Sequence, residues 1–320
     1  MNVLVAGASG NLGSRLCAHL LERGFDVRML VHRHAPLASL AAHPHAVVVS
    51  GDLARPETLP DAVRDVEAIV HVAGVLFQPR PERFLERTNV GFVDHLATAA
   101  AHAGVKKYVL ISFPHVEGET TPDHPAKGSF KCNVDVSHFQ TRLQAERRLL
   151  AIAGAGSLRP LILRTATVYG PGMKLIEGAR WLFRYRMMAV WKDATWLHLL
   201  ALPDFLSAVE QGLSKDVVGV IGVGDEAPLL LQEFLDRLAA HWGYGRPRRL
   251  PKACFIAAAA VTESAAQLFG TSAPLTRDFM KAGFVSSVAD IGRMKSELLT
   301  TLAYPTFAQG IELLRVRNHE

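Results

Sequence analysis

The sequence predicts a doubly wound α/β fold, a parallel sheet covered by helices, with a smaller, mostly helical region at its C-terminal end. Three observations predict it. Short β-branched runs alternate with helical stretches through the first half of the chain. Those runs are apolar almost throughout, as strands buried on both faces are. A glycine-spaced turn, GASGNLG, joins the first run to the first helix.

The strands are expected at residues 3–6, 27–31, 47–50, 68–72, 108–111 and 161–163, where Val, Ile, Leu and Ala follow one another. Helical patterns fall between them at 12–23, 60–63, 89–103 and 137–152. Gly24 and Gly104 close the first and third, as glycine does at helix ends. After Gly170-Pro171-Gly172 the alternation stops, and residues 173–200 carry three of the four tryptophans. A helix is expected at 203–213 and one more strand at 217–223, returning to the sheet. Helices are then expected at 229–242, 253–269, 276–281 and 307–316. The resulting division is 1–172, with 203–224 returning to it, and a smaller region over 173–320.

Composition bounds the function. The chain has 320 residues, 49% hydrophobic and 20% charged, enough for one large domain or two that share an interface. Its 35 Lys and Arg against 30 Asp and Glu are spread along the sequence, so nucleic acid is not implied. Two local clusters, Arg180/Arg184/Arg186 and Arg246/Arg248/Arg249/Lys252, fit either a solvated surface or contact with an anionic substrate or a membrane surface. Cys17, Cys132 and Cys254 are far apart and lack metal-ligand spacing, so neither a disulfide framework nor a metal site is expected. The opening MNVLVAGASG reads as a strand rather than a signal peptide, and the longest apolar run, nine residues over 253–261, is too short to span a bilayer. A cytoplasmic protein is expected, with peripheral membrane contact by that run as the alternative.

Gly7, Gly10 and Gly13 follow a strand and open a helix. Gly7 permits the tight turn, Gly10 the approach of a pyrophosphate, and Gly13 close helix–strand packing. Gly7, Ser9, Gly10, Asn11, Leu12 and Gly13 are therefore the expected dinucleotide cradle. The second strand ends in VRMLVHRH, with no carboxylate for an adenosine ribose. His32 and Arg33 stand there instead, and a guanidinium pairs with a 2′-phosphate. NADP(H) is preferred, with NAD(H) as the alternative. Asp52 and Leu53 after the third strand, and Val72, Ala73 and Gly74 after the fourth, lie at the sheet end where such folds bind ligands. Asp52 suits either an adenine amino group or a turn cap.

These pieces together resemble the extended short-chain dehydrogenase/reductase superfamily, including its NAD(P)-dependent epimerase/dehydratase-like members. They are GASGNLG (7–13), GDL (51–53), HVAG (71–74), TNV (88–90), KKYVLIS (106–112), RLQAERRLL (142–150), LRTATVYGPG (163–172), LPDFLSAV (202–209) and LAYPTFAQGI (302–311). The last is similar to the 3β-hydroxysteroid dehydrogenase and dihydroflavonol reductase-like branches. The resemblance implies a Rossmann-type NAD(P) domain, substrate held beneath the C-terminal helices, and a Ser, Tyr and Lys that do the chemistry. It adds Asn89 to the cofactor set and places Tyr169 at the nicotinamide end, with a packed turn aromatic as the alternative for Tyr169, and it implies a homodimer through the helices at 89–103 and 137–152.

In this chain the Tyr position holds His138 and the Lys position Arg142. The Ser position holds Phe113, or Ser112 if the strand register shifts by one. His138 titrates near ~6.5 when unperturbed and can move a proton; Arg142 can hold ribose hydroxyls but cannot titrate. Trp181, Trp191 and Trp196 suit either an apolar pocket or core packing. The loop over 113–136, with His115, His124 and Lys131, either covers the nicotinamide or is a plain surface excursion. Two functions follow. One is an NADP(H)-dependent oxidoreductase acting on a small, apolar carbonyl or alcohol, with His138, Arg142 and Ser112 in the catalytic roles, and the resemblance leans that way. The other is a non-catalytic dinucleotide-binding sensor, regulator or assembly protein.

Overall fold

The computed structural model describes residues 1–32, 36–74, 83–269, 271 and 275–315. The N-terminal part alternates β1 (Asn2–Ala6), α1 (Asn11–Glu22), β2 (Asp26–Val31), the short α2 (Ala38–Ala41), β3 (Ala46–Ser50), β4 (Ala68–His71), α3 (Phe92–His102), β5 (Lys107–Ser112), α4 (Ser137–Gly154) and β6 (Arg159–Thr165). There follow β7 (Thr167–Tyr169), α5 (Lys174–Arg184), β8 (Ala189–Trp191), β9 (Trp196–Leu197), β10 (Leu199–Ala201), α6 (Leu202–Ser214) and β11 (Gly219–Val223). The chain ends with β12 (Leu229–Leu230), α7 (Leu231–His241), β13 (Arg248–Leu250), α8 (Lys252–Phe269), α9 (Arg277–Gly283) and α10 (Phe307–Gly310).

Seven strands form one sheet in the order β11-β6-β5-β4-β1-β2-β3, and every pairing is parallel. This is the doubly wound α/β arrangement. Alternate residues of β1 feed two cores. Val3 and Val5 join α1, α6 and the C-terminal elements on one face, while Leu4 and Ala6 join α3 and α4 on the other. The order reverses between β1 and β4, so the crevice outside their C-terminal ends is where such a sheet takes a ligand. The strand expected at 217–223 does return to the sheet, as β11 beside β6.

Four sequence expectations are corrected. The helix at 60–63 is absent; a 3-10 turn at Pro56–Thr58 and further turns replace it, with Pro60 past the 3-10 turn. The third strand is not buried on both faces, because β3 is the sheet edge and leaves Val47 and Val48 exposed. The helix expected from 89 starts as a π-helical turn at Glu86–Gly91. The C-terminal region is also less purely helical than its sequence reads. β7 pairs with β10, β9 with β12 and β8 with β13, each over only two or three residues, too short for periodicity to register. Among the described residues no helix is long and apolar enough to cross a membrane.

Candidate active site

Gly7 adopts φ +95°, and a Cβ there would lie 2.8 Å from the Ala73 nitrogen, so the loops after β1 and β4 touch at the reversal point. A Cβ on Gly13 would fall 2.0 Å from the Gly7 carbonyl oxygen, which is why α1 can begin so close to β1. Gly10 precedes α1 in extended conformation, no side chain caps the helix, and its first turn has no acid. The first-turn N–H groups thus face outward as an anion site. Asn11 donates through Nδ2 to the Gly172 carbonyl (2.9 Å), and Arg15 to those of Asn11 and Pro171, which ties the glycine loop to the turn after β7. This backbone cradle fits a dinucleotide pyrophosphate. Gly10 takes an ordinary φ of −76°, and a Cβ there meets only the Gly7 oxygen at 3.0 Å. Gly10→Ala is therefore expected to keep its thermal midpoint yet weaken NAD(P)H binding at least about tenfold, read by calorimetry.

At the adenine end, Asp52 accepts from the Ala54 N–H (2.9 Å) and pairs with His32 (Oδ2 to Nε2, 3.3 Å). Both expected uses of Asp52 thus compete, since the turn cap is formed. Leu53 is buried and its carbonyl accepts from His95 (2.7 Å). Arg33 lies outside the described residues. Val72 donates its N–H to the Ala6 carbonyl (3.0 Å), extending the β4 ladder to the crevice.

The corner where the resemblance expects the chemistry is built by β5, α4 and the turn after β5. His138, Arg142 and Glu146 recur every four residues on α4, and this stripe faces inward: Arg142 and Glu146 are buried and His138 is half-buried. His138 stacks on Phe113 at 5.0 Å, and His115 packs on Phe139 at 5.2 Å. Burial first, then the Arg142 and His115 charges, push His138 down to about 3; burial pushes His115 down to about 4. Both imidazoles are neutral at physiological pH. Arg142 reaches Gly74, where a Cβ would lie 3.3 Å from its guanidinium, and its Nε is buried without a hydrogen-bond partner among the described residues. Beneath it, His71 Nδ1 meets the Tyr108 hydroxyl at 2.6 Å, and burial together with the Arg142 charge holds His71 down at about 3. Asn89, fully buried, donates to Thr141 Oγ1 (2.8 Å) and leaves its own Oδ1 unpartnered among the described residues. The free Arg142 Nε and Asn89 Oδ1 are a donor and an acceptor suited to ribose hydroxyls.

Two candidates are corrected. Ser112 is buried and its hydroxyl donates to Glu146 Oε1 at 2.5 Å, so it is not a carbonyl-binding donor. Glu146 in turn pairs with Arg164 (2.5 Å), which also binds Glu117 (2.5 Å) and the Ser129 carbonyl (2.9 Å). Sequence reasoning missed this network; its one signal is an arginine ending the apolar run LILR. Tyr169 is fully buried, edge-on to Phe307 at 5.1 Å, with its hydroxyl against Gly310. It is a core residue and not a cofactor contact. The tryptophans divide: Trp191 is buried and donates to Thr195 (2.6 Å), Trp196 is half-buried, and Trp181 is exposed.

The loop after Phe113 does not hang free. Thr120 N–H donates to Ser286, Ala126 N–H to Val288 and Asp290 N–H to Ala126, which stitches it to the C-terminal segment. Val136 and Phe139 pack with Val285 and Phe113 into an apolar wall beside His138. Among the described residues no group of His, Cys, Asp and Glu is arranged to hold a metal.

Known proteins share this architecture. A 2-alkyl-3-oxoalkanoate reductase of Stenotrophomonas maltophilia is 28% identical over 263 residues, 78% of this chain and 77% of that protein. A 3-diazoavenalumate denitrifying reductase of a Streptomyces species is 29% identical over 274 residues, 79% and 85% of the two chains. The solved structure of MoeE5 in complex with UDP-glucuronic acid and NAD matches with a TM-score of 0.73 at 23% identity, over 98% of this chain and 97% of that one, a likeness of fold. The model of the NAD dependent epimerase/dehydratase family matches residues 3–198. With its glycine cradle at the sheet reversal and its family match over more than half its length, the chain belongs to the NAD dependent epimerase/dehydratase family.

Proposed function

We propose that the chain binds NADP(H) in the β1–β4 crevice and works as a dinucleotide-binding sensor, regulator or assembly protein, without the tyrosine-type proton transfer of a carbonyl reductase. One observation carries this reading: the hydroxyl of Ser112 is spent on Glu146, and the next position holds a phenyl ring stacked on His138. A bound nicotinamide supplies or accepts hydride. The proton that must accompany hydride then needs a donor, and His138, neutral far below pH 7, holds no imidazolium proton to give. Arg142, lowered from the usual guanidinium range first by burial and supported by the Glu146 charge, positions ribose through its N–H donors. Asn89 accepts from the same ribose. NADP(H) is favoured over NAD(H) because β2 ends without a carboxylate, and Asp52 nearby is engaged by His32.

A second reading, an NADP(H)-dependent oxidoreductase on an apolar carbonyl or alcohol, draws on the apolar wall of Phe113, Val136, Phe139 and Val285 beside His138. The likeness to the 2-alkyl-3-oxoalkanoate reductase favours it too. One experiment separates the two. Calorimetry with NADPH and NADH is expected to show tighter NADPH binding, and cofactor oxidation with ketones, aldehydes and sterol-like compounds to stay at background. Turnover that disappears in His138→Ala establishes the oxidoreductase instead, and failure of both nucleotides to bind removes both readings.

A further inference from the structure

The two arginine clusters, distant in sequence, are brought together by the fold. Helix α5 ends with the Arg186 N–H on the Phe183 carbonyl (3.0 Å) and the Met187 N–H on the Leu182 carbonyl (2.8 Å), the double bond of a Schellman motif. The left-handed position of that motif, where glycine is the usual residue, is Arg186 at φ +55°. The chain then enters β8, whose Ala189 is in register with Arg248 of β13, and Tyr244 stacks on Phe183 of α5 at 5.7 Å. The patch so formed exposes Trp181 (53%), Tyr185 (56%) and Met187 (59%). Trp181 and Tyr185 touch each other, and the Arg184 guanidinium lies over the Tyr185 ring.

Charge does not balance there. The nearby carboxylates Asp193, Glu233 and Asp236 face Lys252, Arg237 and Arg249, and Arg180 donates to the Leu314 carbonyl. Arg184, Arg186, Arg246 and Arg248 are exposed and make no ion pair among the described residues; Glu177 on α5 is the acid nearest Trp181 in sequence that also lacks one. From β13 the chain passes directly into α8, whose exposed Ala257, Ala258, Val261, Ala265 and Leu268 are uncharged.

We propose that this patch docks the protein on an anionic lipid surface, with Trp181, Tyr185 and Met187 at the headgroup level and the four arginines on lipid phosphates. Exposed Trp and Tyr beside unpaired Arg is the chemistry of the membrane interface, apolar at one end and wet at the other. A guanidinium kept at a left-handed position, where glycine would relieve strain, fits a residue retained for what it touches. Nucleic acid would use the arginines but not the aliphatic and thioether surface between them.

Flotation of the full chain with vesicles of phosphatidylcholine alone, and of phosphatidylcholine with phosphatidylserine, tests this. Binding is expected to the anionic vesicles only and to weaken with salt. Each of Arg184→Ala, Arg186→Ala, Arg246→Ala and Arg248→Ala is expected to lower partitioning about fivefold, about 1 kcal/mol each. Trp181→Ala is expected to weaken binding while leaving the salt dependence unchanged. Arg186→Gly is expected to raise the thermal midpoint while weakening flotation, a combination that a purely structural arginine does not give. Replacing all four arginines by lysine preserves charge and is expected to preserve binding. Failure to bind anionic vesicles, undiminished binding by the four alanine variants combined, or preference for single- or double-stranded nucleic acid over vesicles overturns the proposal.

Discussion

Arg164→Ala is expected to destabilise the fold by about 3–5 kcal/mol, measured by urea denaturation, because it strands two buried carboxylates. Arg164 sits on β6 with 1% of its surface exposed and holds Glu146 of α4 through Nε and both Glu146 oxygens. Its other end holds Glu117 Oε1, which also accepts from the Gly128 N–H (2.7 Å), while Glu117 Oε2 accepts from the Lys127 N–H (3.2 Å). Phe130 covers the guanidinium at 5.3 Å. Removing the cation leaves Glu146, fully buried, with Ser112 as its hydrogen-bond donor. Pairing Arg164→Met with Glu146→Met deletes both charges of the tightest contact, so the double variant is expected to be more stable than Arg164→Met alone. A loss below about 1 kcal/mol in Arg164→Ala would mean that water reaches the network. Because Glu146 is one turn beyond Arg142, the same network sets the rotation of α4. Dinucleotide binding is expected to weaken in Arg164→Ala at temperatures where the fold persists.

The sheet was legible because its strands are buried on both faces and its turns are marked by glycine. Where burial is lost, as at β3, or where a ladder is two residues long, as at β9 and β12, apolar periodicity says little about the outcome. The family resemblance, through His138 and Arg142, marked the helix of their corner. A charged stripe ordinarily faces water, and only the three-dimensional partners reveal that here it faces inward: Glu146 meets an arginine from β6, far along the chain. Such long-range pairs leave no periodic trace in a sequence. Tyr169 misled for a related reason. Its motif places it after the sheet strand β6, but Gly310 and Phe307 close over it from the other end of the chain. The corner that remains, Phe113 on His138 with Arg142 behind, is built to hold a neutral imidazole against an apolar wall.

That neutrality has a measurable consequence for the whole chain. Stability by urea denaturation is expected to fall as pH drops from 6.5 toward 5, with a slope that steepens to about 2–3 kcal/mol per pH unit near pH 5. Burial holds His71 and His138 at about 3 and His115 at about 4, and it lowers His198 as well. Below an unfolded value of about 6.5 the unfolded chain takes up these protons and the folded chain does not. The stability they represent is present above pH 6.5 and lost as pH falls toward the folded values. Buried Asp225, raised to about 7, and Asp204, also raised, act in the opposite sense: the folded chain keeps protons that the unfolded chain sheds above about 4. His71, His115 and His138 against Asp225 leave about two protons in favour of the unfolded state near pH 5, and each is worth about 1.4 kcal/mol per pH unit, while His198 and Asp204 act in opposite senses. The histidines win. His138→Phe is expected to reduce this slope by about half, by removing one of those two net protons. A stability that is flat or rising between pH 6.5 and 5 would show that the histidines are charged in the folded chain. His138 would then be able to serve as the proton donor of a reductase after all.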